Sequence, residues 1–570
     1  MASDAGTGGD RPELVLGPIL RYVDEREATV WVETDRACEV GVLGETADTF
    51  CVAGHHYALV MVDGLQPGRS MPYSVELDGD VAWPKPGDPE AMIRTTREGA
   101  GLRLAFGSCR VAVPHEPPYT HGRDRHFRKG KGVDSLGALQ ARMRSRPEEE
   151  WPDAIMLVGD QVYADEVSPE VAEKIGRRRD TSDGAGEEIA DFEEYTWLYH
   201  ESWGDEAIRW LLASLPSMMI FDDHDVTDDW NTSGSWVRHQ RERPWWRERL
   251  IGAYMSYWIY QHLGNLSPDE LREDPTLAAV LAHAGDAEPV LRRFAEEAAD
   301  EVAGTRWSFT RDFGATRLVA LDTRAGRIVA DDAKRQMLSD EQWEWVDEAL
   351  VGGFDHLLVA SSLPLLMSPG IHHLQTWNEA LCAGAWGRRA ARPSEWLRRA
   401  VDLEHWPAFR HSFERLVGDI RSVGSGERGP APASVIVLSG DVHHAYVAEA
   451  DLGDEVESKV LQAVCSPMRN PLGFLERGFM KAALSQTGRR IARFLARRAK
   501  VPPVPIRWEF LEPPTFDNQI GTVEIEGSRA VVKIEKTRPE DWREPKLHLS
   551  LEVEAGGGHR TGDLRPNRPG

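Results

Sequence analysis

The chain has 570 residues, 41% hydrophobic and 28% charged, which is enough to bury a sizeable core and too much for one ordinary domain. Its 67 Lys and Arg face 93 Asp and Glu, a net charge of −26 that repels phosphate backbones and argues against nucleic-acid binding. Five widely spaced cysteines (Cys38, Cys51, Cys109, Cys382 and Cys465) with no C-x-x-C pair argue against a disulfide framework or a zinc ribbon.

Residues 1–12 are small and polar and predict a disordered tail. They hold no secretory signal, and every apolar run is far shorter than the ~20 residues of a membrane span, so a cytoplasmic protein is expected. Over residues 13–98 short β-rich runs follow one another (PILRYV, ATVWVET, ACEVGVLG, HYALVMVDGL, MPYSVELDG), punctuated by Asp63-Gly64, Pro67-Gly68 and Asp78-Gly79. This predicts a small all-β sandwich of the immunoglobulin or fibronectin kind. No chemistry is visible in it; it reads as a structural or positioning unit.

From residue 100 to about 550 fully apolar runs alternate with helical stretches, the pattern of an α/β layered core. The endings of these runs carry the information. LRLAF leads to Gly107-Ser108-Cys109, AIMLV to Gly159-Asp160, and SMMIF to Asp222-Asp223-His224. RLVAL leads to Asp322-Thr323-Arg324, HLLVA to Ser361-Ser362, and VIVL to Ser439-Gly440-Asp441-Val442-His443. Ligands of open α/β sheets bind beyond the carboxyl ends of strands, and six such endings rich in metal-ligand chemistry point to a site there.

Helices are predicted over residues 133–144, 191–214, 236–262, 340–350 and 394–417, with helical insertions at about 165–262 and 473–500. The acidic run 187–194 reads as a solvated face. Trp230, Trp236, Trp245, Trp246 and Trp258 either pack at helical spacing or roof a cleft. The stretch 473–500 is amphipathic and basic, with Arg477, Lys481, Arg489, Arg490, Arg493, Arg497, Arg498 and Lys500. It either pairs with the chain's own acidic face or makes weak contact with an anionic membrane surface. Strand signals QIGTVEIEG, SRAVVKIEK and LHLSLEVEA precede a Gly-rich tail at 556–570, expected to be disordered.

Phosphate-ester hydrolysis needs neutralised phosphoryl oxygens, a nucleophile at neutral pH and a proton for the leaving group. Two adjacent metals supply the first two, and an imidazole supplies the third. Asp160 suits a bridging carboxylate, because Gly159 lets the chain turn sharply after its strand. Tyr163, three residues on, suits a phenolate ligand to the same metal. Asp223 and His224 offer a metal ligand and a general acid. Asp441 and His443 are two apart, and so share a side if the segment is extended. Cys109 completes the set as a thiolate.

Gly107-Ser108-Cys109, the run Gly159 to Asp165 (GDQVYAD), Asp222 to Asp225 (DDHD) and Ser439 to His443 (SGDVH) resemble the alkaline phosphatase D (PhoD-like) metallophosphatases of the calcineurin-like superfamily. Leu321-Asp322-Thr323-Arg324, Gln342-x-x-Trp345 and Cys465 to Asn470 (CSPMRN) extend the likeness over roughly residues 100–540. The resemblance implies a layered α/β calcineurin-like core behind the β unit. It also implies a phosphomonoesterase or phosphodiesterase with His224 and Asp160 catalytic. One metal would sit on Cys109, Asp160, Tyr163 and His443, and a second on Asp160, Asp223 and Asp441. Thiolate and phenolate suit Fe3+, and the oxygen-only site suits Ca2+, with Mn2+ or Mg2+ as alternatives. Arg324, Arg469 and Asn470 are expected to bind substrate, the two arginines equally well to form structural ion pairs. The superfamily's lone histidine has no evident counterpart: HLLVA ends in serines and His372-His373 lies well downstream. Alternatives are a phospholipase-D-like phosphodiesterase acting on lipid or polymer head groups and a non-catalytic metal-binding protein.

Overall fold

Residues 11–555 are described by the computed structural model apart from 124–126, 303, 331–333, 474–476, 479 and 482–483; most of the expected tail at 1–12 and all of that at 556–570 lie outside them. The N-terminal strands are β1 (Leu14–Val23), β2 (Ala28–Thr34), β3 (Glu39–Val42), β4 (Glu45–Asp48), β5 (Phe50–Val52), β6 (His55–Val62), β7 (Ser70–Tyr73), β8 (Val75–Leu77), β9 (Asp80–Trp83) and β10 (Ala91–Arg94). They form sheets β1-β2-β6-β5, β4-β3-β8-β9 and β10-β7. All pairings are antiparallel. This β unit shares one continuous hydrophobic cluster with the chain that follows. Arg21, fully buried, donates across the junction to the carbonyls of Ser217 (3.2 Å), Tyr260 (2.6 Å) and Gln261 (2.7 Å).

The remaining strands are β11 (Leu102–Gly107), β12 (Ala154–Val158), β13 (Ser217–Ile220), β14 (Phe309–Phe313), β15 (Thr316–Leu321), β16 (His356–Ser361), β17 (Ser434–Ser439), β18 (Tyr446–Asp451), β19 (Lys459–Val464), β20 (Arg507–Phe510), β21 (Gln519–Glu526), β22 (Arg529–Lys536) and β23 (His548–Ala555). One sheet runs β13-β12-β11-β21-β22-β23, the other β14-β15-β16-β17-β19-β18-β20. The neighbours β11–β12–β13 and β15–β16–β17–β19 are parallel.

Side chains alternate between the two faces of a strand. Leu358 and Ala360 of β16, with Ile436 and Leu438 of β17, enter the core shared with β11 and β12. Leu357, Val359, Val435 and Val437 enter a second core, against Trp343 and Val346 of helix Asp340–Ala349 and Phe413 and Leu416 of helix Arg410–Gly424. Burial on both faces is why these strands read as unbroken apolar runs.

Several helices differ from expectation. Residues 191–214 form two, Phe192–Trp203 and Glu206–Ser214, because Gly204 ends the first and Asp205 caps the second by accepting the Ala207 and Ile208 N–H groups. Residues 236–262 divide into Gly234–Arg241 and Trp246–Tyr257, the latter continuing through a π-turn. The span 394–417 is broken between Arg388–Ala400 and Arg410–Gly424, where Asp402 has φ 49° and Pro407 interrupts the backbone ladder. Trp230, Trp236, Trp246 and Trp258 are buried and pack in the core.

The acidic run is only partly a solvated face: Glu194 is fully buried and bonded to Arg178 and Arg179. The basic stretch forms helix Gln486–Arg498, which packs on helix Pro369–Cys382 and buries Ala492 and Ala496. Among the described residues none of Arg489, Arg490, Arg493, Arg497 and Arg498 forms an ion pair; nearby Glu379, Glu395 and Glu414 are taken up by Arg335, Arg398 and Arg410. No described helix is long and apolar enough to cross a membrane.

Candidate active site

The carboxyl ends of β11, β12, β13 and β17 converge. Donor atoms of Cys109, Asp160 and His443 lie within 4.8 Å of one another, as do those of Asp160, Asp223 and His224, and those of Asp222, Asp223 and Asp441. Asp160 joins the Cys109–His443 group to the Asp223–His224 group, the position a bridging carboxylate must occupy, and Asp223 in turn joins Asp160 to Asp222 and Asp441. The Tyr163 hydroxyl lies 3.4 Å from Asp160 Oδ2 and accepts from Asn470 Nδ2 at 3.2 Å. All six residues read as metal ligands are therefore brought to one place.

The backbone here is unusual. Cys109 (φ 59°), Asp160 (52°), Asp441 (65°) and His443 (51°) all adopt left-handed conformations, which cost non-glycine residues about 1–3 kcal/mol each and cluster at functional sites. The expected extended alternation of Asp441 and His443 is thus incorrect. The chain turns tightly after β17, with the Val442 N–H donating to the Gly440 carbonyl (2.8 Å). Gly159, at φ 111°, is needed for space as well as for its turn: a Cβ there would sit 2.5 Å from Asp222 Cβ. Ser108 ties the first and last strand ends together, accepting the Asp441 N–H at Oγ (3.0 Å). Ser108 and Ser466 place hydroxyls 3.1 Å from the Cys109 sulfur, an arrangement suited to a thiolate.

Around this centre stands a hydrogen-bonded frame. Asp225 accepts the N–H groups of Asp160 (2.9 Å), Gln161 (3.2 Å), Val162 (3.3 Å) and Asp222 (2.8 Å), locking the ends of β12 and β13 together. His224 Nδ1 is held by Asp165 at 2.9 and 3.1 Å, and its ring lies 4.6 Å from that of Tyr163. Asp441 is bound on one oxygen by Arg324 (3.2 Å) and on the other by His405 Nε2 (2.9 Å). His405 Nδ1 in turn meets Gln375 Nε2 at 2.8 Å.

The electrostatics call for cations. Burial raises the Asp160 carboxyl well above its usual range; His224 opposes this, while Asp223, Asp225 and Asp441 add to it. Burial, with Asp160 and Asp441, pushes the Cys109 thiol up in the same way. Asp160 Oδ1 and Asp222 Oδ2 are buried without a hydrogen-bond partner among the described residues. Burial, then the neighbouring His224, lowers His443 to about 4, leaving a neutral imidazole able to bind a metal. Positive charge at this spot would ionise the acids and satisfy the orphaned oxygens. Thiolate, phenolate, imidazole and carboxylate are a donor set for a transition cation beside a harder one. The residues present fit such a pair.

Two expected substrate contacts are corrected. Arg324 is fully buried and its guanidinium is taken up by Asp222, Asp223, Glu404 and Asp441, so it braces the carboxylates and does not reach a substrate. Arg469 is equally buried and donates to the carbonyls of Val113 (2.6 Å) and Pro114 (2.9 Å). Asn470 does lie at the centre, beside Tyr163, and it accepts from Lys131 Nζ at 2.9 Å. Lys131 escaped sequence reasoning, since it lies in an irregular segment without a motif. His405 escaped it as well, because the break that holds it reads as continuous helix. His372 is core: it packs against Phe413 and Trp508. His444 is packing too, stacked on Tyr446 and Phe516.

A family model described as PhoD-like phosphatase matches residues 137–471, and one described as a domain of unknown function (DUF7800) matches residues 11–95. No curated protein matches the sequence. Among solved structures, one described as PhoD aligns over 96% of this chain and 90% of its own at 14% identity, with a TM-score of 0.55, a likeness of fold. The purple acid phosphatase PPD1 from yellow lupin (Lupinus luteus) aligns over 95% and 73% at 12% identity, with a TM-score of 0.43. With more than half of its length matched by that family, and with donor groups at its strand ends that could hold metal ions, the chain belongs to the PhoD-like phosphatases.

Proposed function

We propose that the protein is a dinuclear-metal phosphoesterase in which Asp160 would be a ligand to both cations. The observation that carries this reading is that Asp160 joins the thiol-bearing Cys109–His443 group to the group holding Asp223, together with its unpartnered buried oxygen. Cys109, Tyr163 and His443 would hold one cation with Asp160, and Asp223 and Asp441 the other. The softer, thiolate-bearing set suits Fe3+, and the oxygen-only set Ca2+, Mn2+ or Mg2+. Such ions neutralise phosphoryl charge and lower the pKa of a shared water.

The chain's own groups do the rest. Lys131 and Asn470 hold the anionic phosphoryl oxygens at the rim beside Tyr163. His224 keeps a proton at Nε2 for the leaving oxygen. Asp165, bonded to Nδ1, fixes the ring and favours its charged form: burial opposes that charge, but Asp165, Asp223 and Asp160 raise the imidazole well above its usual pKa. Monoester and diester turnover of para-nitrophenyl phosphate and its bis-ester tests the reading. Asp160→Ala, folded by circular dichroism, is expected to lose both; retained activity would refute it.

A second reading concerns where the substrate is met. The outward face of helix Gln486–Arg498 carries Ile491 (57% exposed) and Phe494 (61%) among the arginines, the composition of a helix that lies on an anionic lipid surface. This favours esters presented at such a surface, as the phospholipase-D-like alternative requires. Co-sedimentation with phosphatidylserine vesicles at low salt should be detectable and absent for Phe494→Ser; no wild-type binding would remove the lipid option.

A further inference from the structure

A second cluster of metal-ligating side chains lies outside the candidate active site, where the N-terminal β unit meets the helices. Glu33 of β2, His55 of β6 and His200 of helix Phe192–Trp203 place donor atoms within 4.8 Å of one another. We propose that Glu33, His55 and His200 form a structural site for a zinc-class divalent cation that fastens the β unit to the catalytic part of the chain.

Four observations carry this. The donors are two imidazoles and one carboxylate from three separate elements, the nitrogen and oxygen set that zinc takes. The Glu33 side chain is almost fully buried, at 1% exposure, yet it faces His55 Nδ1 (Oε1, 2.9 Å) and His200 Nε2 (Oε2, 2.9 Å) instead of an apolar contact. The remaining nitrogen of His55 is held by Glu193 Oε2 at 2.9 Å, and Tyr260 donates to Glu33 Oε2 at 3.0 Å. Each of two ligands therefore has the outer partner that turns a metal ligand toward its ion. Finally, His55 and His200 are 20% and 27% exposed, which leaves an entry path and room for water as a further ligand. Binding is a simple exchange. The cation enters, and the protons now shared between the two imidazoles and Glu33 leave to solvent.

The site has a structural use. Glu33 and His55 belong to the β unit, while His200 and Glu193 belong to a helix whose next residues reach the catalytic frame: Ser202 Oγ donates to the Gln161 carbonyl at 3.1 Å. A cation here would fix the placement of that helix without touching substrate.

The test uses full-length protein in an Asp160→Ala background, in which the bridged catalytic pair is disabled, so its result is independent of the catalytic reading. Chelator-stripped protein is loaded with Zn2+, desalted and assayed by elemental analysis and thermal unfolding. The Asp160→Ala chain is expected to retain one zinc equivalent more than the same chain carrying His55→Gln and His200→Gln, and zinc should raise its melting temperature more. In case that triple variant folds poorly, Glu193→Gln leaves all three ligands in place and should weaken zinc retention about 10–100-fold. Equal zinc retention with and without the histidines, or no effect of Glu193→Gln, would show a hydrogen-bonded ion pair only and overturn the proposal.

Discussion

The Asp225 carboxylate accepts the backbone N–H of Asp160 at 2.9 Å and, on the same oxygen, that of Asp222 at 2.8 Å, so one side chain sets the spacing of two strand ends. A ligand cluster in left-handed backbone is held only as well as such clamps hold it. Asp225→Ala is therefore expected to lower kcat/KM for para-nitrophenyl phosphate and metal retention together, each by about 10–100-fold. Asp225→Asn should do nearly as badly, because its amide would point a donor at donors. A variant with normal metal content and activity would show that the clamp is dispensable.

His224 with Asp165 makes a different prediction. A group that supplies a proton to the leaving oxygen matters most when that oxygen is a poor leaving group. His224→Ala should cost an alkyl phosphate roughly 10²–10⁴-fold in kcat and an activated aryl phosphate much less. Asp165→Asn should show the same pattern more weakly. Equal losses on both substrates would make His224 a binding group instead.

Arg324 tests stability more than chemistry. Its buried guanidinium neutralises Asp222 and Glu404 directly, and removing one partner of a buried ion network costs about 3–5 kcal/mol. Arg324→Met should lower the urea midpoint accordingly, whereas Arg293→Ala, which removes an exposed pair with Glu297, should leave it unchanged. A small effect at Arg324 would contradict its bracing role.

His372 is one contributor to acid sensitivity. Burial, then His373 and Arg410, lowers its pKa to about 3, and burial does the same to His262. The unfolded chain takes up these protons below about pH 6.5 while the folded chain does not. Stability is thus complete above pH 6.5 and falls by about 1.4 kcal/mol per pH unit and per histidine as the pH drops toward 3. Between pH 6.5 and 5, His372→Leu should lose about 2 kcal/mol less than wild type in urea unfolding. Parallel losses would mean that His372 is not held neutral.

The parts of this architecture that were legible in the sequence are those with strong local signatures. Runs such as AIMLV and VIVL are apolar because both of their faces are buried, and the abrupt change to Gly159-Asp160 or Gly440-Asp441 marks where the core ends. The six ligand candidates follow from those endings. What was not legible depends on breaks and on long-range pairing. His405 lies where Asp402 and Pro407 interrupt a stretch of helical composition, and only the fold brings it to Asp441, 36 positions away. Arg324 looks like a phosphate ligand by type, but three carboxylates and Glu404 are nearer to it than any solvent-facing space. The left-handed turn at Asp441 and His443 is tied to Ser108, which accepts the Asp441 N–H, a long-range contact that no local pattern encodes.

The central claim is that Asp160 is shared by two cations. Anomalous diffraction from metal-replete crystals, recorded on both sides of the iron edge, addresses it directly. Two peaks about 3.5–4 Å apart are expected on either side of the Asp160 carboxylate, the one nearer Cys109 showing the iron edge. A single peak, or density that leaves Asp160 without a cation on either oxygen, would contradict it.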